Sequence, residues 1–191
     1  MSLKPKMNKN LILAIGLTIW ALGSTLVFGE VIVKQYETGG IYEGEFLNGK
    51  QHGQGKYRLP NGYVYEGSWV EGKIEGQGRA EYPDGAIYEG EFKGGQPSGS
   101  GSIVFPDGST YAGDWLKGNF EGNGLIIYTN GIRFEGEFRA GLQNGFGKMI
   151  SPNGYIYEGN WENGEKQGLG KITYTDNAIY EGEVTKGVRS G

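Results

Sequence analysis

Few residues in this chain could do chemistry, and spacing removes most of them. Gly44-Glu45-Phe46-Leu47-Asn48-Gly49-Lys50 has the glycine and lysine spacing of a phosphate-binding loop, as does the stretch from Gly67 to Gly72-Lys73. Both lack the hydroxyl residue that should follow the lysine, having Gln51 and Ile74, and neither opens a helix, so phosphate cradling is excluded. His52 is the one histidine, and its position becomes Glu75, Ser98, Glu121, Asn144 and Gln167 further along, which reads as a variable, solvated loop site. No serine or threonine has a base to activate it, so triad chemistry is excluded too. With no cysteine there is neither a disulfide nor a thiolate metal site.

Acidic residues fall in two stripes: Glu43, Glu66, Glu89, Glu135, Glu158 and Glu181, then Glu45, Glu91, Asp114, Glu137 and Glu183. Equivalent strands two apart put these carboxylates roughly 9–10 Å from one another, too far to share one calcium ion. The stripes read as a solvated face that keeps the protein in solution, or as a face for a basic partner. Lys56, Arg58, Arg79, Lys148 and Lys171 are spaced to pair with them across strands. No catalytic, metal-binding or cofactor-binding residue is expected, and no cofactor. The mild acidity, a net charge of −4, argues against nucleic acid, which needs a basic face.

The aromatics are more regular. One column holds Tyr42, Tyr65, Tyr88, Tyr111, Phe134 and Tyr157, and a second holds Phe46, Trp69, Phe92, Trp115, Phe138 and Trp161. Exposed rings of this kind stack on sugars or cradle a quaternary ammonium. The alternative is structural stacking of the rings, and one ring can serve both ends.

What positions these residues is a unit of 23 residues repeated without insertion or deletion. Six full copies start at residues 42, 65, 88, 111, 134 and 157, and a partial seventh starts at 180. In the first copy Tyr42, Gly44 and Phe46 alternate with Glu43 and Glu45, which predicts a strand with an aromatic face and an acidic face. A connection from Asn48-Gly49 to about His52-Gly53 leads to a second strand with Gly53, Gly55, Tyr57 and Leu59 on one side. Pro60-Asn61-Gly62 closes it, and Asn-Gly or Asp-Gly at such corners signals a hairpin. In the sixth copy Asn177 replaces the corner glycine, and asparagine also tolerates positive φ.

Glycine makes up 38 of the 191 residues and occupies fixed columns, one of them invariant from Gly44 to Gly182. Glycine weakens a strand unless something needs the space. The proposed occupant is a ring lying flat across the glycines of a neighbouring strand, so that a one-layer sheet buries apolar surface. A lone hairpin would not hold, and stability must come from stacking of the units.

The segments YEGEF and YEGSW, the turn, the paired glycines and YPDG resemble the MORN (membrane occupation and recognition nexus) repeat over residues 42 to 191. The resemblance implies an all-β, elongated, single-layer antiparallel meander of stacked hairpins, used as scaffold, dimerisation or membrane-tethering module, with non-catalytic repeats.

Before the array, Lys4, Lys6 and Lys9 precede an apolar run from Leu11 to Phe28. This describes a secretory signal, cleaved after Gly23 or Gly29, or an uncleaved hydrophobic anchor helix with its N-terminus cytoplasmic. The expected organisation is therefore signal or anchor over 1–29, linker over 30–41 and array over 42–191, with the array exported. The function expected is a non-enzymatic scaffold that binds protein, or a second copy as a homodimer, through its sheet face or end. The alternative is a module that binds phospholipid or glycan through the aromatic ladder.

Overall fold

The computed structural model describes Leu13, Ala14 and residues 30–190. These form one antiparallel sheet of sixteen strands in unbroken sequence order. Leu13–Ala14 (β1) pairs with Glu30–Gln35 (β2), and β2 pairs with Ile41–Leu47 (β3). From β3 and Lys50–Arg58 (β4) onward, strands of seven and nine residues alternate as far as Ile179–Thr185 (β15), and Val188–Arg189 (β16) closes the series. The expected all-β single layer is present. The expected N-terminal helix falls largely outside the described residues and finds no support: the two of its residues that are described form a strand rung. Among the described residues no helix is long and apolar enough to cross a membrane.

Three local features differ from the sequence reading. Residues 30–41 are not a linker. They form β2 and a corner like the others, with Gly39 at φ 84° and Gly39 N–H donating to Tyr36 O at 2.9 Å. The connection after β3 is shorter than expected, because Asn48 (φ 51°) and Gly49 (φ 77°) are both left-handed and make a two-residue turn. The second strand therefore starts at Lys50. The residues read as loop form a bulge inside it: Gly44 faces Gly55 while Phe46 faces Gln51, which leaves surplus residues opposite Glu45. At the other corner Gly62 N–H closes the turn on Leu59 O at 3.1 Å, and Asn177 takes φ 67° in the copy that lacks the glycine, as the sequence predicts.

The core lies on one face of this single sheet. Each first-column ring lies flat over the glycine two residues on and over the facing glycine of the next strand. A Cβ on Gly55 would stand 2.5 Å from Tyr42 Cε2, and one on Gly44 would stand 2.5 Å from Gly55 Cα. The tyrosine hydroxyls then reach their own strand, with Tyr42 donating to Glu45 O at 3.0 Å and Tyr111 to Asp114 O at 2.9 Å. Each unit also engages the next edge-on, as in Tyr42–Trp69 at 5.1 Å and 83° and Tyr88–Trp115 at 4.9 Å and 80°.

Candidate functional site

The structure places the twelve ladder aromatics together, as the spine of the core. The first column is at most 1% exposed from Tyr42 to Tyr157, and the second is 3–8% exposed except for the half-buried Phe46. Burial pushes the phenols of Tyr42, Tyr65, Tyr88 and Tyr111 well above their ordinary value. An approaching molecule therefore meets a second rank of rings on the same face, half-buried and set by the corners. Tyr36, Tyr82, Phe105, Tyr128 and Tyr174 precede the corner turns, and Tyr63 and Tyr155 follow them. The signal that could have found them is the residue before each Pro-Asp-Gly or Thr-Asn-Gly corner.

These corner rings face a column that begins one residue into each second strand: Gln51, Ile74, Pro97, Phe120, Gln143, Lys166. Outer units close the space with a polar clasp. Gln51 Nε2 donates to the Tyr36 hydroxyl, Gln143 Nε2 to that of Tyr128 at 3.0 Å, and Lys166 Nζ to that of Tyr155 at 3.2 Å. Lys166 Nζ also lies 4.5 Å from the Tyr155 ring centre, and burial lowers its amine below the usual lysine value. The middle units, with Ile74, Pro97 and Phe120, have no clasp. Phe120 instead stacks on Tyr111 at 3.7 Å and 12°. An apolar trough of about 560 Å³ opens there, between Tyr82 and Phe105 on one side and Pro97, Trp115 and Phe120 on the other, with Ala86 and Ile103 at its base. The Trp115 indole is already spent on Gly101 O at 3.0 Å. The Tyr82 hydroxyl makes no hydrogen bond to another described residue, and burial raises its pKa, so it remains a donor.

The opposite face carries the charges. Its central row pairs base with acid across strands: Lys56–Glu66 at 2.8 Å, Arg79–Glu89 at 3.0 Å, Lys148–Glu158 at 3.0 Å and Lys171–Glu181 at 2.7 Å. This is the pairing expected from the sequence, and the Lys56 ammonium holds the Glu66 carboxyl below its ordinary value. The second acidic stripe is not simply solvated. Glu45 Oε1 accepts from Gln54 N–H at 3.0 Å, Asp114 Oδ2 from Asn123 N–H at 3.0 Å and Glu137 Oε1 from Phe146 N–H at 3.0 Å. These carboxylates cap the bulge amides, a role hidden in the sequence because the bulge itself was hidden. The variable site that starts at His52 is also structural in several units. Glu75, Ser98, Glu121 and Gln167 each accept a backbone N–H from the turn of the following unit, as in Ala140 N–H to Glu121 Oε2 at 3.0 Å.

The MORN repeat family profile matches six consecutive stretches, residues 42–62, 65–87, 88–110, 111–133, 134–154 and 157–179. No curated protein matches the chain by sequence. Among solved structures it is similar to the TCP domain of SAS-4 (dCPAP) of Drosophila melanogaster, in complex with a proline-rich motif of Ana2. That match has 10% identity over 87% of this chain and 96% of that one, with a TM-score of 0.50. The TCP10 domain of Danio rerio CPAP matches at 13% identity over 85% and 80% of the two chains, with a TM-score of 0.48. At such identities the likeness is one of fold. The matched stretches cover most of the chain and coincide with its hairpin units, so the chain belongs to the MORN repeat family.

Proposed function

We propose that this repeat scaffold is non-enzymatic and holds a protein partner by an extended, proline-containing segment laid in the aromatic-face trough. The observation that carries this reading is the trough itself: three successive units lack the polar clasp that closes the same space elsewhere. Its base offers no spare hydrogen-bond donor, so an ordinary extended strand would strand its own amides there. Proline brings no N–H, and its carbonyls can be read by a rim donor such as the Tyr82 hydroxyl. The similar SAS-4 domain is in complex with a proline-rich motif, which supports this class of ligand. We also propose that the array works on the exported side of a membrane, which the lysines and the apolar run of residues 1–28 support.

A fluorescein-labelled proline-rich 15-residue peptide, titrated by anisotropy, tests the trough. Pro97→Gln places a glutamine beside Tyr82 at the offset of the Gln143–Tyr128 pair, which should close the trough and weaken binding at least tenfold with the fold intact. Unchanged affinity, or binding only to liposomes or wall polysaccharide, would overturn the reading. Intact mass of the mature protein, with protease accessibility of its repeats in membrane fractions, tests the export.

A further inference from the structure

The charged face has a gap that is unrelated to the trough in chemistry. Its central row runs acid, base, acid, base from Glu43 to Glu89 and again from Glu135 to Glu181. Between these runs the register brings Ser102, Ala112 and Leu125 into the row, without a charge among them. Leu125 stands in a column that is basic at Lys56, Arg79, Lys148 and Lys171, and it faces Glu135. The other neighbour of Glu135 is Lys148, whose Nζ is bonded to Glu158 at 3.0 Å. Glu135 is consequently the only acid of this row, among the described residues, that has no ion pair.

The short side chains also leave space. A hollow of about 730 Å³ runs from Ala112 to Glu158 over a floor of glycine backbone, and it is walled by Leu125 and Phe146. A second hollow of about 590 Å³ adjoins it at Ala112 and Gly113 and extends to Glu89. Phe146 is 54% exposed, although the equivalent position in earlier units is polar: Gln54, Gln77, Ser100, Asn123. Carboxylates committed to bulge amides but not to any base edge both hollows, Glu137 the first and Glu91 and Asp114 the second, while Lys148, which also lines the first, is held by Glu158.

We infer that this hollow receives a lysine or arginine side chain from a basic segment of a protein partner, the cationic head supplying the base that is missing opposite Glu135. The methylene stem lies against Leu125 and Phe146, as long basic side chains do on apolar surface. The head also approaches the exposed Phe146 ring, where a cation is favoured. The partner completes an ion-pair row that the chain itself builds on both sides.

The probe is a fluorescein-labelled arginine octapeptide, titrated into the intact chain by anisotropy at low and at physiological salt. Leu125→Lys fills the missing rung from within and should weaken binding at least tenfold. Glu135→Gln, a change at an exposed position that leaves the fold undisturbed, should weaken it about fivefold. Glu43→Gln, in the same row at its far end, should change it less than twofold. Equal affinity of Leu125→Lys and the natural chain would overturn the inference. So would a loss in Glu43→Gln as large as in Glu135→Gln, because attraction would then be spread over the whole face. Pro97→Gln lies on the other face and should leave this binding unchanged, which separates a failure here from a failure of the trough.

Discussion

The middle and outer units of the array share one backbone and one core, yet their surfaces differ on both faces at the same place. In the outer units Gln51, Gln143 and Lys166 clasp corner tyrosines on one face, and lysine–glutamate rungs cross the other. In the middle units Pro97 and Phe120 replace the clasp, and Ser102, Ala112 and Leu125 replace the rungs. The geometry of strand, turn and ring is unaltered: Tyr111 still covers Gly124, and the Lys117-Gly118 turn still closes. The lesson is a division of labour by column. Columns that seat the rings permit no local variation, and the columns beside them are free to vary, so binding character can be written into any unit at little structural cost.

That comparison can be broken first with alkali, where the largest effect is expected. The buried phenols stay neutral in the fold and ionise more readily in the unfolded chain, from the ordinary value of 10 upward; Tyr63, for example, is pushed up to about 12. A pKa raised by folding leaves stability whole below pH 10 and drains it as pH rises from there towards the folded values. Melting temperature should thus be level through neutral pH and fall steeply above pH 10. Tyr111→Phe and Tyr42→Phe should blunt the fall equally, being middle and outer versions of the Phe134 rung. Unequal blunting would mean that the core is not uniform.

The next effect is steric. A Cβ on Gly113 would stand 2.5 Å from Gly124 Cα, and one on Gly159 the same distance from Gly170 Cα. Gly113→Val and Gly159→Val should each cost about 3 kcal/mol, roughly 6–12 °C in melting temperature, whatever their place in the array. A smaller change probes the variable column. Phe120→Gln loses its stack on Tyr111 and should cost about 2 kcal/mol; adding Phe105→Tyr, which imitates the Gln143–Tyr128 clasp, should restore about 1 kcal/mol. A double variant no better than the single one would show that the clasp does not transfer to the middle. Smallest is Leu125→Lys, which should add roughly 0.2–1 kcal/mol of stability at low salt and nothing in 1 M salt.

Much of the fold was legible because the period made it so. The flat rings over glycines follow from the columns at Tyr42, Gly44 and Gly55, and the cross-strand pairs follow from Lys56 and Glu66. The half-unit at residues 30–41 was hidden because Ile32 occupies the glycine position there. It faces Gly44, whose ring, Tyr42, lies on the other side over Gly55, so no glycine is needed. The bulge was hidden because a local surplus of residues does not disturb the 23-residue period, and the tasks of Glu45 and Glu121 disappeared with it. The trough and the gap were present in the sequence as substitutions in two columns. Only the register says that those columns lie back to back on the same units.

The turn amides point to a mechanical property. Each one reaches back across a single hairpin, Gly118 N–H to Pro97 O and Gly141 N–H to Phe120 O, and the rings reach no further. A pull on the two ends of such a ribbon meets no long-range lock among the described residues, so it should yield one hairpin at a time, each release lengthening the tether by roughly 70 Å. A chain built in this way behaves as a graded spring, giving ground in equal steps and leaving the remaining units in register.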